Sequence, residues 1–142
     1  MMQWVRRIGS IEIFLLAAVG AVLIVPILWA VADTAVNQYR SMQFGAQLYA
    51  IPLPERTVLL KEEQRVGLLV GNGNHCDFIA DLHVASALSQ KEIEKYYSAL
   101  RLKPVRERGD EPYVLVSAEG EGLYLIRAVD SPNTPGMDLR CH

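Results

Sequence analysis

The amino-acid sequence predicts an α+β fold: an N-terminal transmembrane helix, then a small ββαββ-like antiparallel sheet packed with one helix. Three observations lead there. Ile13–Ala32 is a run of twenty residues without a charge, which as a helix spans roughly 30 Å, the hydrocarbon thickness of a bilayer. Residues 77–85 alternate apolar and polar as a strand does. Ser89-Gln90-Lys91-Glu92 has the form of a capping box, and Ile93, Tyr96, Tyr97 and Leu100 follow at i, i+3, i+4 and i+7.

The chain divides accordingly into a cytoplasmic N-terminus (1–10), a transmembrane helix (11–32), a stalk and linker (33–56) and an extracytoplasmic domain (57–142). Arg6 and Arg7 precede the apolar run and Asp33 follows it. Basic residues stay on the cytoplasmic side, so the N-terminus is expected inside and the domain outside. Trp4 and Trp29 sit near the two ends, where indoles favour headgroups. Glu12 is one turn from the inner end, within reach of the interface. Pro26 is expected to kink the outer half. Ala30, Val31 and Ala32 also fit the small-residue rule for signal-peptide cleavage, which would release a secreted domain. Against cleavage, the run is longer than a signal-peptide core.

Beyond the run, helix is expected to about Met42. Pro52 and Pro54 force an extended linker after Tyr49. Thr57–Lys61 and Arg65–Val70 are expected as two short strands around a charged turn, Lys61-Glu62-Glu63-Gln64. Gly71-Asn72-Gly73-Asn74 signals a tight hairpin. In the next strand Phe78, Ala80, Leu82 and Val84 face the core, while Asp77, Ile79, Asp81 and His83 face solvent. Lys103–Arg108 is expected as a short edge strand carrying a basic cluster. A Gly109–Pro112 turn leads into a hairpin, Tyr113–Ala118 and Leu123–Val129, and then an irregular tail pinned only by Cys141.

Composition narrows the function. The 14 basic and 16 acidic residues include Arg6, Arg7 and Glu12, so 12 basic and 15 acidic remain from Asp33 onward. A domain of net charge about −3 is unsuited to neutralising phosphates, and no nucleic-acid partner is expected. The two cysteines, Cys76 and Cys141, both lie in the part expected outside the cytoplasm, where a disulfide is their simplest fate. By the chain-entropy model that bridge contributes roughly 4 kcal/mol.

Zinc on His75, Cys76, Cys141 and His142 fits poorly, because adjacent residues of an extended chain point apart. Asp77, Asp81 and His83, on one strand face, are the candidate ligand or metal face, with a solvated sheet surface as the plainer reading. The sequence holds no nucleophile elbow, HExxH or Walker-type loop, so neither enzyme activity nor a cofactor is expected.

Two resemblances bear on this. Arg6-Arg7-Ile8-Gly9 before an apolar helix with Glu12 and Pro26 resembles a type IV pilin N-terminus. That family places its Glu five residues after the cleaved Gly, whereas Glu12 is three after Gly9. Pro52-Leu53-Pro54-Glu55, Gly71–Asn74 and the stretch Leu88–Tyr97 together resemble a group of uncharacterised bacterial membrane-anchored proteins, over roughly residues 50–100. The cysteine pair does not map onto that group. The resemblance implies a bacterial envelope location and brings no activity.

The expected function is therefore a non-enzymatic binding or assembly module. Its partners are the lipid bilayer, through residues 11–32, and an envelope protein. The rival readings are a secreted domain, a pilin-like subunit and a metal-dependent envelope enzyme.

Overall fold

The computed structural model describes residues 2–71, 73–107 and 110–142, with side chains from Glu12 onward. The order of elements is α1 (Met2–Tyr49), β1 (Thr57–Gly67), β2 (Asp77–Ser86), α2 (Gln90–Ser98), β3 (Tyr113–Gly120), β4 (Leu123–Asp130) and a short 3-10 turn, Leu139–Cys141. The four strands form one antiparallel sheet in the order β1-β2-β4-β3. The protein is α+β, as its residue patterns predict.

Helix α1 is a single helix of 48 residues that continues through Pro26. Its apolar stretch is long and apolar enough to cross a membrane, and its side chains, Ile13, Phe14, Leu16 and Val22 among them, are exposed. The helix extends to Tyr49 and not to Met42, for a physical reason. Asn37, Ser41, Phe44 and Leu48 recur at intervals of four, three and four residues and are all buried, the one-sided stripe of a helix lying on a sheet. Gly45 belongs to this contact. A Cβ there would stand 2.8 Å from the Gln64 side-chain oxygen and 3.0 Å from the Tyr49 ring, so a larger residue would have to push the Gln64 side chain of β1 aside.

The core lies between the sheet and the two helices. Phe44 and Leu48 of α1 and Ile93 and Tyr97 of α2 pack on Phe78, Ala80, Leu82, Val84, Ile126 and Ala128, with Cys76 and Cys141 at one end. The capping box at the start of α2 is complete. Ser89 Oγ accepts from the Glu92 N–H, and Glu92 accepts from the Ser89 N–H at 2.8 Å. Of the expected apolar stripe, Tyr96 is the exception: it stays half exposed and donates its hydroxyl to the Pro52 carbonyl at 2.8 Å.

Two strand expectations are corrected. The segments 57–61 and 65–70 are one strand, and Lys61–Gln64 runs through it without turning. Lys61 pairs with His83 and Glu63 with Asp81, after a bulge between Leu59 and Lys61. Charged residues are natural on this strand because β1 is an edge of the sheet. Residues 103–107 form no strand. The Val105 N–H is taken by the Asp130 carboxylate at 2.5 Å and the Lys103 N–H by Gln47 at 2.7 Å, so side chains replace a ladder there. Arg108, Gly109 and Asn72, which belong to expected elements, lie outside the described residues. The β3–β4 hairpin forms as expected, with Gly122 at φ +67° in its turn.

Candidate functional site

Both helices cover the same face of the sheet, and neither lies on the opposite face, although Ile79, expected to face solvent, is buried there together with Asp81 and Val129. Cross-strand register arranges its residues in rows: Val58, Ala85 and Leu123; Lys61, His83, Leu125 and Ser117; Glu63, Asp81, Arg127 and Leu115; Arg65, Ile79, Val129 and Tyr113. Charged side chains occupy the middle and apolar ones the rim. Tyr113 is 45% exposed and Leu115 53%.

Asp81 lies at the centre. It was expected on a solvated surface, yet it is buried. The cause is its neighbours across the ladder. Arg127 donates Nε to Oδ1 at 2.7 Å and Nη2 to Oδ2 at 2.8 Å, and Arg65 donates Nη2 to Oδ2 at 2.9 Å. The two guanidinium groups close over the carboxylate. Burial pushes the Asp81 carboxyl up, but the hydrogen bonds and charges of Arg127 and Arg65 outweigh it and hold it below its usual range.

His83 lies one row away. Its Nδ1 meets Glu119 Oε2 at 2.8 Å, and its Nε2 stands 3.5 Å from Glu63 Oε2. Glu63 also pairs with Lys61 at 2.5 Å.

Asp77 does not join this group. It heads β2, where Oδ2 accepts the backbone N–H groups of Leu69 and Val70 at 2.6 and 2.7 Å and Oδ1 accepts the Ser131 hydroxyl at 2.6 Å. It staples the β1–β2 loop to the tail. The Asp77, Asp81 and His83 face thus resolves into a structural Asp77 and a separate trio, Glu63, Asp81 and His83, whose ligand atoms lie within 4.8 Å of one another. This trio is ill-suited to a cation. Both Asp81 oxygens already accept from arginines, and an incoming ion would have to displace two positive groups that lie within 3 Å. Glu63 was missed in the sequence because it lies in the segment that reads as a turn.

A second polar cluster joins α1 to the tail. Asn37 is fully buried: Nδ2 donates to Asp138 Oδ2 at 3.0 Å and Oδ1 accepts from Arg106 Nη2 at 3.0 Å. Arg140 donates to Asp138 at 2.8 Å, to Gln38 at 3.0 Å and to the Thr34 carbonyl at 3.1 Å. Arg106 donates to the Thr134 carbonyl and hydroxyl. Beside this network Cys76 and Cys141 are disulfide-bonded and fully buried. The tail is therefore held by side chains at 134, 138 and 140 as well as by Cys141.

His75 and His142 take other partners, the Val70 carbonyl at 2.7 Å and Asn74 Oδ1 at 2.8 Å. Nothing gathers them with the cysteines. The expected basic cluster is likewise divided. Arg106 enters the buried network, whereas Lys103 lines an open groove of about 420 Å³ with Arg40, Gln43, Phe44 and Gln47.

Burial alone would raise the Asp138 carboxyl. Hydrogen bonds from Arg140 and Asn37, and the Arg140 charge, outweigh it and bring the pKa down to about 2. A carboxyl depressed on folding stabilises fully above its unfolded value, near 3.8, and its contribution disappears as pH falls to about 2. The expected loss across that window is on the order of 2 kcal/mol. Acid titration of the full chain in detergent, followed by circular dichroism, should show Asp138→Asn with a shallower decline than wild type between pH 4 and 2. Parallel curves would refute this role.

Comparison with protein-family profiles, with curated proteins and with solved structures finds no match.

Proposed function

We propose that this chain is a single-pass, membrane-anchored module of a bacterial envelope, with its N-terminus inside and its domain outside, and that it binds another envelope protein through the helix-free face of its sheet. The observation that carries the reading is the division of α1. Residues 13–32 expose apolar side chains on all sides, and the stretch from Asn37 to Tyr49 is built into a folded domain. Water is a poor solvent for the first stretch, and lipid is a good one. The arginines at its start and Asp33 at its end favour the inside-to-outside orientation. A buried disulfide fits an oxidising compartment.

The helix-free face supports the binding half of the proposal. An aromatic and aliphatic rim around internally paired charges is the composition of a protein-contact patch, with tyrosine and arginine both present. A photo-crosslinking residue at Leu115 is expected to give a discrete adduct in membranes, whereas one at Lys95, exposed on α2, gives none. Tyr113→Asp should abolish the adduct. Equal labelling from positions 115 and 95 would refute the assignment.

A pilin-like subunit is the second reading, favoured by the same bare helix half, which identical halves of neighbouring copies could cover as well as lipid does. N-terminal sequencing of the mature protein separates these readings. An intact start supports the anchor, Ser10 the pilin-like subunit and Asp33 a secreted domain. The metal-dependent enzyme is tested by the metal content of the purified chain; a stoichiometric ion removed by Asp81→Asn would revive it.

A further inference from the structure

We infer that the C-terminal tail makes a second lipid contact, with Met137 and Leu139 entering the interfacial zone of the leaflet from which α1 emerges. The inference rests on the reading that α1 spans a membrane. Leu139 is 78% exposed and Met137 43%, in a tail that is otherwise tightly held. Three bonds fix the height of that tail along α1. The Met137 N–H donates to Asp33 Oδ2 at 2.6 Å, Thr34 Oγ1 donates to Asp138 Oδ1 at 3.3 Å, and Arg140 Nη2 donates to the Thr34 carbonyl at 3.1 Å.

Thr34 is two residues past the last residue of the uncharged run, about 3 Å along a helix axis. The interfacial zone of a bilayer is about 5–7 Å deep on each side. Residues 137–140 therefore stand at the level of headgroups and the first acyl carbons. Of the charges near them, Arg140 pairs with Asp138, Asp138 also accepts from Asn37, and Asp33 accepts the Met137 N–H, while the headgroup zone itself tolerates ionised groups.

The β1–β2 loop lies beside the tail, its Leu68 N–H donating to the Arg140 carbonyl at 2.6 Å, and it adds the exposed Leu69 and Val70. Four exposed apolar side chains thus gather at the end of the domain next to the span. The bilayer that receives α1 is the occupant whose surface necessarily lies at that height.

Tryptophan fluorescence of the full chain in phosphatidylcholine vesicles tests this. Leu139→Trp and, independently, Met137→Trp are made with Trp4 and Trp29 replaced by Phe. Native Trp29, in a Trp4→Phe chain, reports on the span, and Leu115→Trp on the water-facing domain. Phosphatidylcholine brominated near the headgroup is expected to remove about half or more of the emission at 139 and 137, as for an interfacial indole, and little at 115.

If 139 and 137 respond only to aqueous acrylamide while Trp29 is quenched by brominated lipid, the inference falls and the anchor stands. If neither quencher reaches 139 and 137, a protein surface covers them, and the inference falls again. If brominated lipid leaves Trp29 unquenched as well, the anchor reading fails together with it.

Discussion

Replacing Cys76 and Cys141 by serine is expected to lower the unfolding temperature of the full chain by on the order of 15 °C. The bridge spans 65 residues of sequence and encloses β2, α2, β3 and β4. Without it the unfolded chain regains the freedom of a loop that size, roughly 4 kcal/mol by the entropy model. Both sulfurs are buried in the core, so two serine hydroxyls would also be left without water and with few partners. Thermal unfolding in detergent, followed by near-ultraviolet circular dichroism with and without reductant, measures the loss. A double-serine variant as stable as wild type would mean that the Asn37–Asp138–Arg140 network alone secures the tail.

The second large effect is expected at Asp81. Asp81→Leu should cost about 3 kcal/mol, the low end for breaking a buried ion pair, because Arg65 and Arg127 are themselves partly exposed and can turn to solvent. The decisive comparison is with the triple variant Arg65→Met, Asp81→Leu, Arg127→Met. Replacing a buried charged set by apolar residues of similar volume removes the desolvation cost along with the attraction. The triple variant should therefore unfold at a higher temperature than Asp81→Leu alone. If it is the less stable of the two, the arginines contribute through packing and not through the carboxylate.

These residues also show what the sequence makes legible and what it hides. Helix α2 was readable because its capping box and apolar stripe are local, within twelve residues. Strand β2 was readable from its alternation. The burial of Asp81 was not, because it depends on Arg65 and Arg127, sixteen and forty-six positions away, brought beside it by strand register that no local pattern records. Lys61–Gln64 misleads for a related reason: a charged tetrapeptide has the composition of a turn, and only its place on a sheet edge makes it strand. In the second half of α1 the stripe of Asn37, Ser41, Phe44 and Leu48 is present in the sequence. Its first two members are polar, and Asn37 is satisfied as a core residue only once Asp138 and Arg106 arrive from later in the chain. The separation of Asp77 from Asp81 and His83 is of the same kind, since its partners come from a loop and from Ser131.

Because α1 has no joint between its bare half and its packed half, it works as a lever arm. A twist or axial shift imposed on residues 13–32 is carried to the domain through Phe44 and Leu48, with no slack segment to absorb it. Pro26, where one backbone hydrogen bond is missing, is the weakest point along that arm, and it lies upstream of every contact with the domain. Bending there would tilt the whole domain as one body, leaving its internal geometry unchanged.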